Sequence, residues 1–367
     1  MDKKVLLITP FMTGFGGTET VISNLFKRYN EDSYQKVKLE YINIGGFTDG
    51  DWQENIKNNK VIKLSDNKYV RKLQYLAFLP FIMFFILKKY KPDLVISTNP
   101  IIWSIAYMLK PFFKNKYSVV SWYHYSLIAK PVKKTMLNKA DYYLSISSGI
   151  TKELEKNGIK KSSISTIYNP VLTSENNISK SNDGISRFVY VGRVMLNGQK
   201  NIKEMIDALS LVKGNWTLDI IGSGEINKVK KYIIEKGITP NKIKFHGFKR
   251  NPWNFINKAD FLILSSKYEG FPMTLNEAIS MGLPVVSSDC PTGPSDIVND
   301  NNGVLYEVGN VNELRNILQK IVNGEISFKD QQDIKKSIND FYISNYYNKF
   351  IDTIIGYIDK QCFYTDN

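Results

Sequence analysis

Residues 265–289 read SSKYEGFPMTLNEAISMGLPVVSSD, and the order of residue types in this stretch predicts the fold class. The stretch begins at the end of a short apolar strand, residues 261–266, and turns at the glycine and proline of EGFP. A helix over residues 273–281 then ends at Gly282, and a second apolar strand follows over residues 284–288. This order is the strand–turn–helix–strand unit of a parallel sheet.

The turn before that helix offers two kinds of polar group. A helix N-terminus at the carboxyl end of a parallel strand presents unpaired amides and a positive dipole end, so it binds phosphate. The amides predicted to do so are those of Met273, Thr274 and Leu275. Glu269 precedes them and Glu277 follows on the helix. Because an ionised carboxylate only accepts hydrogen bonds, these glutamates indicate a ligand that also carries hydroxyls, such as a sugar or a ribose.

Length and cysteine usage bound the class of protein. A chain of 367 residues is long enough for two domains, each with a full core. The two cysteines, Cys290 and Cys362, have no paired spacing, so the sequence predicts neither a disulfide framework nor a zinc site. This favours a reducing cytoplasm. The N-terminal apolar run ends in glycines and is typical of a first β-strand rather than a signal peptide.

Positive charge is concentrated in the first half of the chain. Residues 1–180 hold 27 Lys and Arg against 14 Asp and Glu, whereas residues 181–367 hold 22 against 21. A basic half indicates a face that meets an anionic partner, either nucleic acid or anionic lipid. The same half contains a 13-residue apolar run, YLAFLPFIMFFIL at residues 75–87, flanked by lysine and arginine. This run is too short to span a bilayer, and it is either a core helix or a segment inserted shallowly into a membrane interface.

The first half opens with a strand, a glycine-rich loop and a helix. The loop over residues 10–17 contains Gly16 and Gly17, which permit close approach of the backbone to a ligand, although a plain tight turn has the same composition. Asp49 and Asp51 form a literal D-x-D pair, which in other proteins holds a divalent metal. Here the pair lies in a glycine-rich loop past the end of a strand, so a metal role is not favoured.

His124 follows the predicted strand of residues 117–121 and stands among aromatic residues in WYHYS. A histidine at the carboxyl end of a parallel strand is well placed for a cleft. The alternative is a histidine with a purely structural role.

The polar, Asn- and Ser-rich residues 172–186 are predicted to be a linker, and the strand pattern restarts at residues 187–191. Arg193 follows this strand and Lys200 opens the next helix. An arginine fork and a lysine point charge in front of a helix N-terminus favour a diphosphate clamp. The alternative is two solvated basic residues, and the six residues between them leave the shape of the loop open. Amphipathic helical stretches are predicted over residues 311–323 and 327–358.

Glu269 and Glu277, within EGFPMTLNEA, resemble the E-x7-E signature of the retaining GT-B glycosyltransferases of family four. The resemblance covers nearly the whole chain. It implies an α/β fold of two Rossmann-like domains that face each other across a cleft, with a C-terminal helix crossing back to the N-terminal domain. The implied boundaries are an acceptor-binding domain at 1–171, a linker at 172–186, a nucleotide-sugar-binding domain at 187–345 and a last helix at 346–367.

The same resemblance implies a role for each candidate site residue. Glu269, His124, Arg193 and Lys200 would serve catalysis, with Glu269 on hydroxyls of the donor sugar, His124 beside that sugar, and the two cations on the diphosphate. Glu277 would hold the ribose hydroxyls. The remaining donor contacts would come from backbone or near-backbone positions: Gly16, Gly17, Gly222, Phe248, Lys249, Gly270, Phe271, Met273, Thr274 and Leu275.

Several runs narrow the resemblance, among them GFGGTETVI (residues 14–22), SWYHYSL (121–127) and SDCPTGPSDI (288–297). They look like the bacterial lipopolysaccharide α-1,6-galactosyltransferases of this family. The implied activity is transfer of a hexose, galactose from UDP-galactose, with retention, onto a lipid-linked or cell-surface glycan such as lipopolysaccharide core, capsule or a teichoic acid precursor. UDP-glucose or UDP-N-acetylglucosamine is the alternative donor.

The resemblance also implies that no cofactor and no metal is needed, because Arg193, Lys200 and the helix amides would take over the work of a metal. The expected location is cytoplasmic, peripheral on the inner face of the plasma membrane, with the basic half on an anionic surface. Two readings from outside enzymology remain, a membrane-associated scaffold and a nucleic-acid binder. The basic residues show no nucleic-acid recognition motif, so no nucleic-acid partner is predicted.

Overall fold

The computed structural model describes residues 3–114, 116–328 and 330–363, without the side chains of residues 361–363. The chain divides into two compact units. The first unit consists of Met1–Pro170 together with Ile343–Asn367, and the second is Val171–Tyr342. Each unit is built on one parallel sheet with helices, which confirms the α/β class that the sequence predicts.

The first unit contains a seven-stranded sheet of order β3-β2-β1-β4-β5-β6-β7. Its strands are mostly apolar from end to end, because a parallel sheet is covered by helices on both faces. The elements in chain order are β1 (Lys3–Thr9), α1 (Gly17–Glu31), β2 (Val37–Gly45), β3 (Asn59–Lys63), α2 (Lys68–Tyr90), β4 (Leu94–Ser97), α3 (Pro100–Leu109), β5 (Ser118–Ser121), α4 (Lys134–Leu137), β6 (Tyr142–Ser145), α5 (Ser148–Lys156) and β7 (Ile164–Thr166).

Strand β3 has no counterpart among the predicted strands. Its sequence, NKVIK, places lysines and an asparagine around only two apolar residues. The strand lies at the edge of the sheet, where such polar residues are expected because they discourage pairing with other chains.

The second unit contains a six-stranded parallel sheet of order β10-β9-β8-β11-β12-β13. This is the 3-2-1-4-5-6 order of a dinucleotide-binding sheet, and its direction reverses between β8 and β11. The elements are β8 (Ser186–Val191), α6 (Ile202–Ser210), β9 (Trp216–Ile221), α7 (Ile226–Glu235), β10 (Ile243–Gly247), β11 (Phe261–Leu264), α8 (Met273–Ser280), β12 (Val285–Ser288), α9 (Pro294–Ile297), β13 (Gly303–Tyr306), α10 (Val311–Val322) and α11 (Gln331–Lys336).

Residues 172–186, the predicted linker, belong to the second unit. The segment is polar but is anchored by one apolar side chain, Ile178, which is buried. The amide of Ile178 donates to the carbonyl of Met281 at 3.0 Å, and Ser179 forms an isolated parallel bridge with Lys258. The ammonium of Lys335 donates to the carbonyl of Ser174 at 2.8 Å. Composition alone could not reveal these partners, because all of them are distant in sequence.

The predicted amphipathic stretch at 327–358 is interrupted in the structure. Helix α11 is followed by a 3₁₀ turn at Asn339–Phe341 and then by the last helix, α12 (Ile343–Phe363). The break occurs because Tyr342 pairs with Val171 in a parallel bridge, and the amide of Val171 donates to the carbonyl of Phe341 at 2.9 Å. The second unit therefore ends at 342, not at 345.

Helix α12 belongs to the first unit although it is distant from it in sequence. The ring of Phe350 lies 5.7 Å from that of Trp122, and Tyr357 stacks on Tyr142 with centroids 4.1 Å apart. The side chains of Tyr346 and Phe350 are fully buried. The core of the first unit is thus completed by the last residues of the chain.

Helix α2 is longer than the apolar run that predicted it and includes Pro80 in its interior. Leu79, Met83, Ile86 and Leu87 are buried, and Tyr75, Ile82, Phe84 and Tyr90 are half-buried. The exposed large apolar residues of the helix are Tyr69, Val70, Leu73, Leu76, Phe78, Phe81 and Phe85. Within the described part of the chain, α2 is the one helix with the length and composition for a membrane span. Core helices of soluble proteins meet the same criterion.

Candidate active site

The candidate site lies where the second sheet reverses its strand order. The carboxyl ends of β8 and β11 are neighbours there, and ligands of such sheets bind in the crevice outside this point. The loop after β8 carries Arg193 and Lys200, and the turn after β11 carries Glu269. The structure therefore brings together three predicted residues that are up to 76 positions apart.

Lys200 and Glu269 form a buried ion pair at this point. The ammonium of Lys200 lies 2.6 Å from Oε1 of Glu269, and both side chains are about nine-tenths buried. The hydroxyl of Ser266 donates to the same carboxylate oxygen at 2.5 Å. A buried carboxylate needs polar partners, and these two contacts hold Glu269 in place in the site.

Gln199 connects the two loops, and the sequence analysis assigned it no role. Its side-chain oxygen accepts from Nη2 of Arg193 at 2.6 Å. Its amide nitrogen donates to the carbonyl of Tyr268 at 3.2 Å and more weakly to Oε2 of Glu269 at 3.4 Å. The backbone carbonyl of Gln199 accepts from the amide of Lys267 at 2.8 Å. One residue thus orients both the guanidinium and the carboxylate, a role that its position beside Lys200 could have signalled.

Two residues that follow β12, Thr292 and Gly293, support the turn that carries Glu269. The hydroxyl of Thr292 donates to the backbone carbonyl of Glu269. Gly293 has a φ of +99°, and a β-carbon there would lie 2.6 Å from Cδ of Pro272. Only glycine fits this contact, which explains the glycine of the SDCPTGPSDI run. Thr292 and Gly293 therefore hold the turn of Glu269 in place, a role that the sequence did not predict.

Helix α8 begins at Met273 with Pro272 as its N-cap and no side-chain cap. The amide of Leu275 donates to the carbonyl of Pro272 at 3.1 Å, so this amide is used by the helix itself, and the prediction of a free Leu275 amide is wrong. The hydroxyl of Thr274 is buried and has no hydrogen-bond partner within the described residues. A buried hydroxyl without a partner at a helix N-terminus marks a place for a hydrogen-bonding ligand.

Glu277 lies one helical turn beyond Met273, on the same side of α8. Its Oε2 accepts from Nε1 of Trp253 at 3.0 Å, and burial raises the pKa of this carboxyl group. Trp253 belongs to the 3₁₀ turn Pro252–Phe255 that follows β10, and it is a second contact that the sequence analysis missed.

The remaining predicted nucleotide positions lie at the same edge of the sheet. Gly222 follows β9, and a β-carbon there would lie 1.8 Å from the carbonyl oxygen of Gly192, so the loops after β8 and β9 approach as closely as backbones can. The amide of Gly222 donates to the carbonyl of Gly247 at 2.8 Å. Phe248 is exposed directly after β10, and the ammonium of Lys249 lies 4.9 Å from the ring of Phe255.

In the first unit, His124 follows β5 and is buried against Trp122, with ring centroids 4.7 Å apart. Burial lowers the pKa of His124 to about 3, because the charged imidazolium would lose its hydration. Its Nε2 has no hydrogen-bond partner within the described residues. His124 is therefore a neutral imidazole at physiological pH with one ring nitrogen available to a ligand.

The glycine-rich loop after β1 is organised by Glu19, which the sequence analysis did not single out. Oε1 of Glu19 accepts from the amides of Thr13 and Gly14 at 3.1 and 3.0 Å. A β-carbon at Gly16 would lie 2.5 Å from Oε2 of Glu19, so Gly16 leaves room for the carboxylate to fold back. Gly17 is the first residue of α1. The loop is thus held in place by a side chain of the helix that it introduces.

The D-x-D pair forms a local turn, in which the amide of Asp51 donates to Oδ1 of Asp49 at 3.0 Å. Within the described ranges, no group of three or more His, Cys, Asp or Glu side chains is arranged to hold a metal ion. Cys290 is a buried free thiol, and the side chain of Cys362 lies outside the described residues.

Comparison with known proteins places this geometry among glycosyltransferases. The profile of the family "Glycosyltransferase Family 4" matches residues 15–175, and that of "Glycosyl transferases group 1" matches residues 173–340. The lipopolysaccharide 1,6-galactosyltransferase of Escherichia coli K12 is 34% identical over 365 residues, covering 98% of this chain and 99% of that protein. The same enzyme of Salmonella typhimurium LT2 is 33% identical, covering 97% and 100%.

Among solved structures, the apo form of the lipopolysaccharide outer core galactosyltransferase WaaB is similar with a TM-score of 0.82. It is 32% identical in sequence, and the match covers 96% of this chain and 99% of that one. Both the family and the fold that the E-x7-E motif predicts are therefore confirmed.

Proposed function

Because this chain belongs to the family 4, group 1 glycosyltransferases, we propose that it transfers galactose from UDP-galactose to a lipopolysaccharide core or a related lipid-linked glycan. The transferred galactose and the lipopolysaccharide acceptor follow the activity of two relatives that match nearly over their full length, both lipopolysaccharide 1,6-galactosyltransferases. The observation that carries the proposal is the Lys200–Glu269 pair at the switch point of the second sheet, beside the N-terminus of α8. It puts an anion-binding cation, a hydroxyl-binding carboxylate and helix amides within one small region.

The transferase reaction breaks the bond between the anomeric carbon of the sugar and the β-phosphate oxygen of UDP. A bond from the acceptor oxygen to that carbon replaces it. The UDP leaving group gains negative charge in the transition state, and the Arg193 guanidinium, the Lys200 ammonium and the first amides of α8 are the groups available to stabilise it. One preorganised donor of this kind contributes roughly 3–4 kcal/mol of barrier.

Retention of configuration is part of the proposal. In the candidate site, Glu269 is engaged by a lysine and a serine, which suits a carboxylate that positions sugar hydroxyls better than one that attacks carbon. The acceptor would then approach from the face that the diphosphate leaves, and the acceptor proton would pass to the departing phosphate oxygen. The products are the α-linked glycoside and UDP.

Independence from metal is also proposed. Two cations and the helix dipole meet the diphosphate from the protein side, which is the work that a divalent ion does elsewhere. Glu277, with its raised pKa and its bond from Trp253, is assigned to the ribose hydroxyls. The role that the resemblance implies for His124, beside the transferred sugar, stays a prediction.

For location, we place the protein in the cytoplasm, attached peripherally to the inner face of the plasma membrane through its basic first half. The excess of 13 positive charges in residues 1–180 supports attraction to anionic lipid. A lipid-linked acceptor requires such an attachment, since the acceptor itself does not leave the membrane.

The test is release of UDP or GDP from four donors, UDP-galactose, UDP-glucose, UDP-N-acetylglucosamine and GDP-mannose, measured in EDTA with a glycolipid extract as acceptor. We expect release from UDP-galactose, no gain on adding Mg²⁺ after removal of EDTA, and an α-linked product by NMR. Preference for another UDP-sugar would refute the galactose assignment alone. A β-linked product would refute retention, and strict dependence on Mg²⁺ would refute the metal-independent mechanism.

Glu269→Ala tests the site directly. We expect turnover to fall by about 100-fold or more, because a misplaced sugar loses the near-attack geometry, while UDP affinity changes little. The matched control is Glu235→Ala, an exposed glutamate at the end of α7 in the same unit. If Glu269→Ala turned over at the wild-type rate, the assigned site would be wrong.

A further inference from the structure

The exposed apolar face of α2 ends at a pocket surrounded by lysines. We propose that this pocket binds the phosphate of an anionic phospholipid while the apolar face of α2 lies in the membrane interface. The inference deepens the proposed peripheral attachment by naming the surface and the lipid chemistry. It does not depend on the donor site, since all of its residues lie in the first unit.

The apolar face consists of large side chains that share one side of the helix. The exposed fractions are 55% for Phe78, 67% for Phe81 and 64% for Phe85. Their spacing of three and four residues places them on one stripe, about 10 Å long at 1.5 Å per residue, and Lys88 continues this face three residues further on. Soluble proteins rarely leave such a continuous apolar stripe in water unless it meets a partner or a membrane.

The opposite side of α2 packs into the core of the first unit. Leu79, Met83 and Leu87 are buried there and belong to the same cluster as the strands of the sheet. The helix is therefore fixed with its second apolar side facing outward. This is the arrangement of an interfacial helix, which stays in the plane of the membrane surface, and it differs from a spanning helix, which would have to leave the core.

The pocket lies at the C-terminal end of α2, is open on one side and has a volume of about 230 Å³. Two segments form it, and the ring of Phe84 on α2 lies 5.3 Å from that of Phe113 on the other segment. The lining residues are Leu87, Lys88, Lys91, Pro92, Phe113, Lys114 and Tyr117.

The charges of the pocket are uncompensated. No ion pair found within the described residues involves Lys88, Lys91 or Lys114, and all three side chains are exposed. The acidic residue nearest in sequence, Asp93, uses Oδ2 to accept from the backbone amide of Lys4 at 2.7 Å. Lys88 lies in the last turn of α2, where a lysine is commonly explained by the helix dipole. The dipole does not explain Lys114 or its position beside Lys88 and Lys91.

An anionic phospholipid matches both parts of the surface. Its phosphate carries the charge that three neighbouring ammonium groups attract, and its acyl chains match the apolar pocket wall and the stripe of α2. A free anion would use only the lysines, and a neutral lipid only the stripe. The combination of the two features on one continuous surface favours an amphiphile with an acidic head group.

The experiment is co-flotation of the full-length protein with vesicles of phosphatidylcholine, with and without phosphatidylglycerol. We expect binding only to the vesicles with phosphatidylglycerol. Lys88→Gln/Lys91→Gln/Lys114→Gln should weaken that binding roughly 100-fold, from about fivefold per lysine near an anionic surface. The matched control, Lys152→Gln/Lys156→Gln/Lys160→Gln, removes the same charge from exposed lysines in and beyond α5 and should bind like the wild type apart from a small general loss.

The apolar face is tested with Phe81→Ser/Phe85→Ser, which should also abolish flotation. The control is Leu211→Ser/Ile234→Ser, two exposed apolar residues of the second unit, which should not. If both triple-lysine variants lost the same amount of vesicle binding, net charge alone would explain the binding, and the proposal that the pocket binds the lipid phosphate would be wrong. Wild-type flotation of the phenylalanine variant, or a dimer in solution that this variant dissociates, would overturn the membrane assignment of the stripe.

Donor turnover separates this inference from the proposed function. The two lysine variants and the phenylalanine variant should retain wild-type release of UDP with a detergent-solubilised acceptor, because they leave the second unit unchanged. Normal flotation in a protein without transferase activity would refute the proposed function alone. Normal transferase activity in a protein that ignores phosphatidylglycerol vesicles would refute the lipid site alone.

Discussion

Gln199 stands between the two charged groups on which the proposed chemistry depends. Its oxygen holds Arg193 and its nitrogen holds the turn of Glu269, so a neutral amide sets the orientation of a cation and an anion together. Lys200 completes the arrangement by pairing with Glu269. These contacts hold the charged groups in fixed positions, and fixed groups can stabilise a transition state without the cost of reorganisation.

Gln199→Ala should lower turnover roughly 10-fold to 100-fold, because removing a hydrogen bond to a charged group costs about 1.5–3 kcal/mol. The measurement is steady-state UDP release, with the Michaelis constant for the donor followed separately. Asn197→Ala in the same loop, at an exposed position, is the control and should have little effect. Gln199→Glu keeps the contact with Arg193 but sets a like charge beside Glu269, so activity at the wild-type level in this variant would contradict the bridging role.

His124 should make folding stability depend on pH. Its pKa is about 3 in the folded protein and about 6.5 when unfolded, so its stabilising contribution is complete above pH 6.5 and is lost as the pH falls toward 3. At pH 5 the loss is roughly 2 kcal/mol relative to pH 7. Urea unfolding at both pH values should show that His124→Gln reduces this loss, and an equal loss in the variant and the wild type would contradict the assignment. Comparing variants removes the opposite contribution of Glu277, whose pKa is raised.

Among the elements, the loops after β8 and β9 are joined by close backbone packing at Gly192 and Gly222. The bridge between Val194 and Gly224 continues this contact, with the amide of Val194 donating to the carbonyl of Ser223 at 2.8 Å. These bonds fix the start of the loop that ends at Lys200. The conformation of the loop between β8 and Lys200 is therefore determined by the loop after β9 as well as by its own sequence.

Gly222→Ala should destabilise the protein by roughly 3 kcal/mol or more, since its β-carbon would overlap a backbone oxygen that has no room to move. The control is Gly309→Ala, which shares a positive φ but has no atom within 4 Å of the added carbon, and should cost only about 1–2 kcal/mol. Chemical denaturation followed by circular dichroism measures both. Equal losses of stability in the two variants would show that the backbone at Gly192 moves aside for the added β-carbon.

The sequence predicted helices and strands better than it predicted the contacts between distant segments. The apolar strands and the EGFP turn were readable because their signals are local, whereas the strand order and its switch point come from the structure. β3, the break before α12 and the anchoring of residues 172–186 were not readable, because edge polarity or distant partners such as Val171 and Tyr342 decide them. The same holds in the site: Glu269 was visible in its motif, whereas Gln199 and Trp253 act through contacts that only the fold creates.

For the whole molecule, the two units differ in how their chain is arranged. The second unit is one continuous segment, Val171–Tyr342, whereas the first needs both ends of the chain. The buried aromatic residues of α12, such as Tyr346 and Phe350, fill the core of the first unit. Its stability thus depends on a helix that is separated from the rest of that unit by the entire second unit.

A chain that ends at Tyr342 should therefore contain a folded second unit and an unstable first unit. Burying a large apolar side chain is worth about 1.5–3 kcal/mol, and removal of several from one core exceeds the usual margin of about 5–15 kcal/mol. Limited proteolysis should cut the truncated chain within residues 1–170 and leave the second unit intact, and UDP should still bind by calorimetry. Resistance of residues 1–170 to the protease would show that α12 is dispensable.

The late position of α12 also sets an order of events on the ribosome. When residue 170 has been made, the first sheet has its strands but lacks its closing helix, and α2 already presents apolar side chains. At about 5–20 residues per second, the 172 residues of Val171–Tyr342 take roughly 10–30 s to synthesise, time enough for the second unit to fold first. The nascent first half therefore waits in an incomplete state, when chaperones or the membrane surface have their best access to α2.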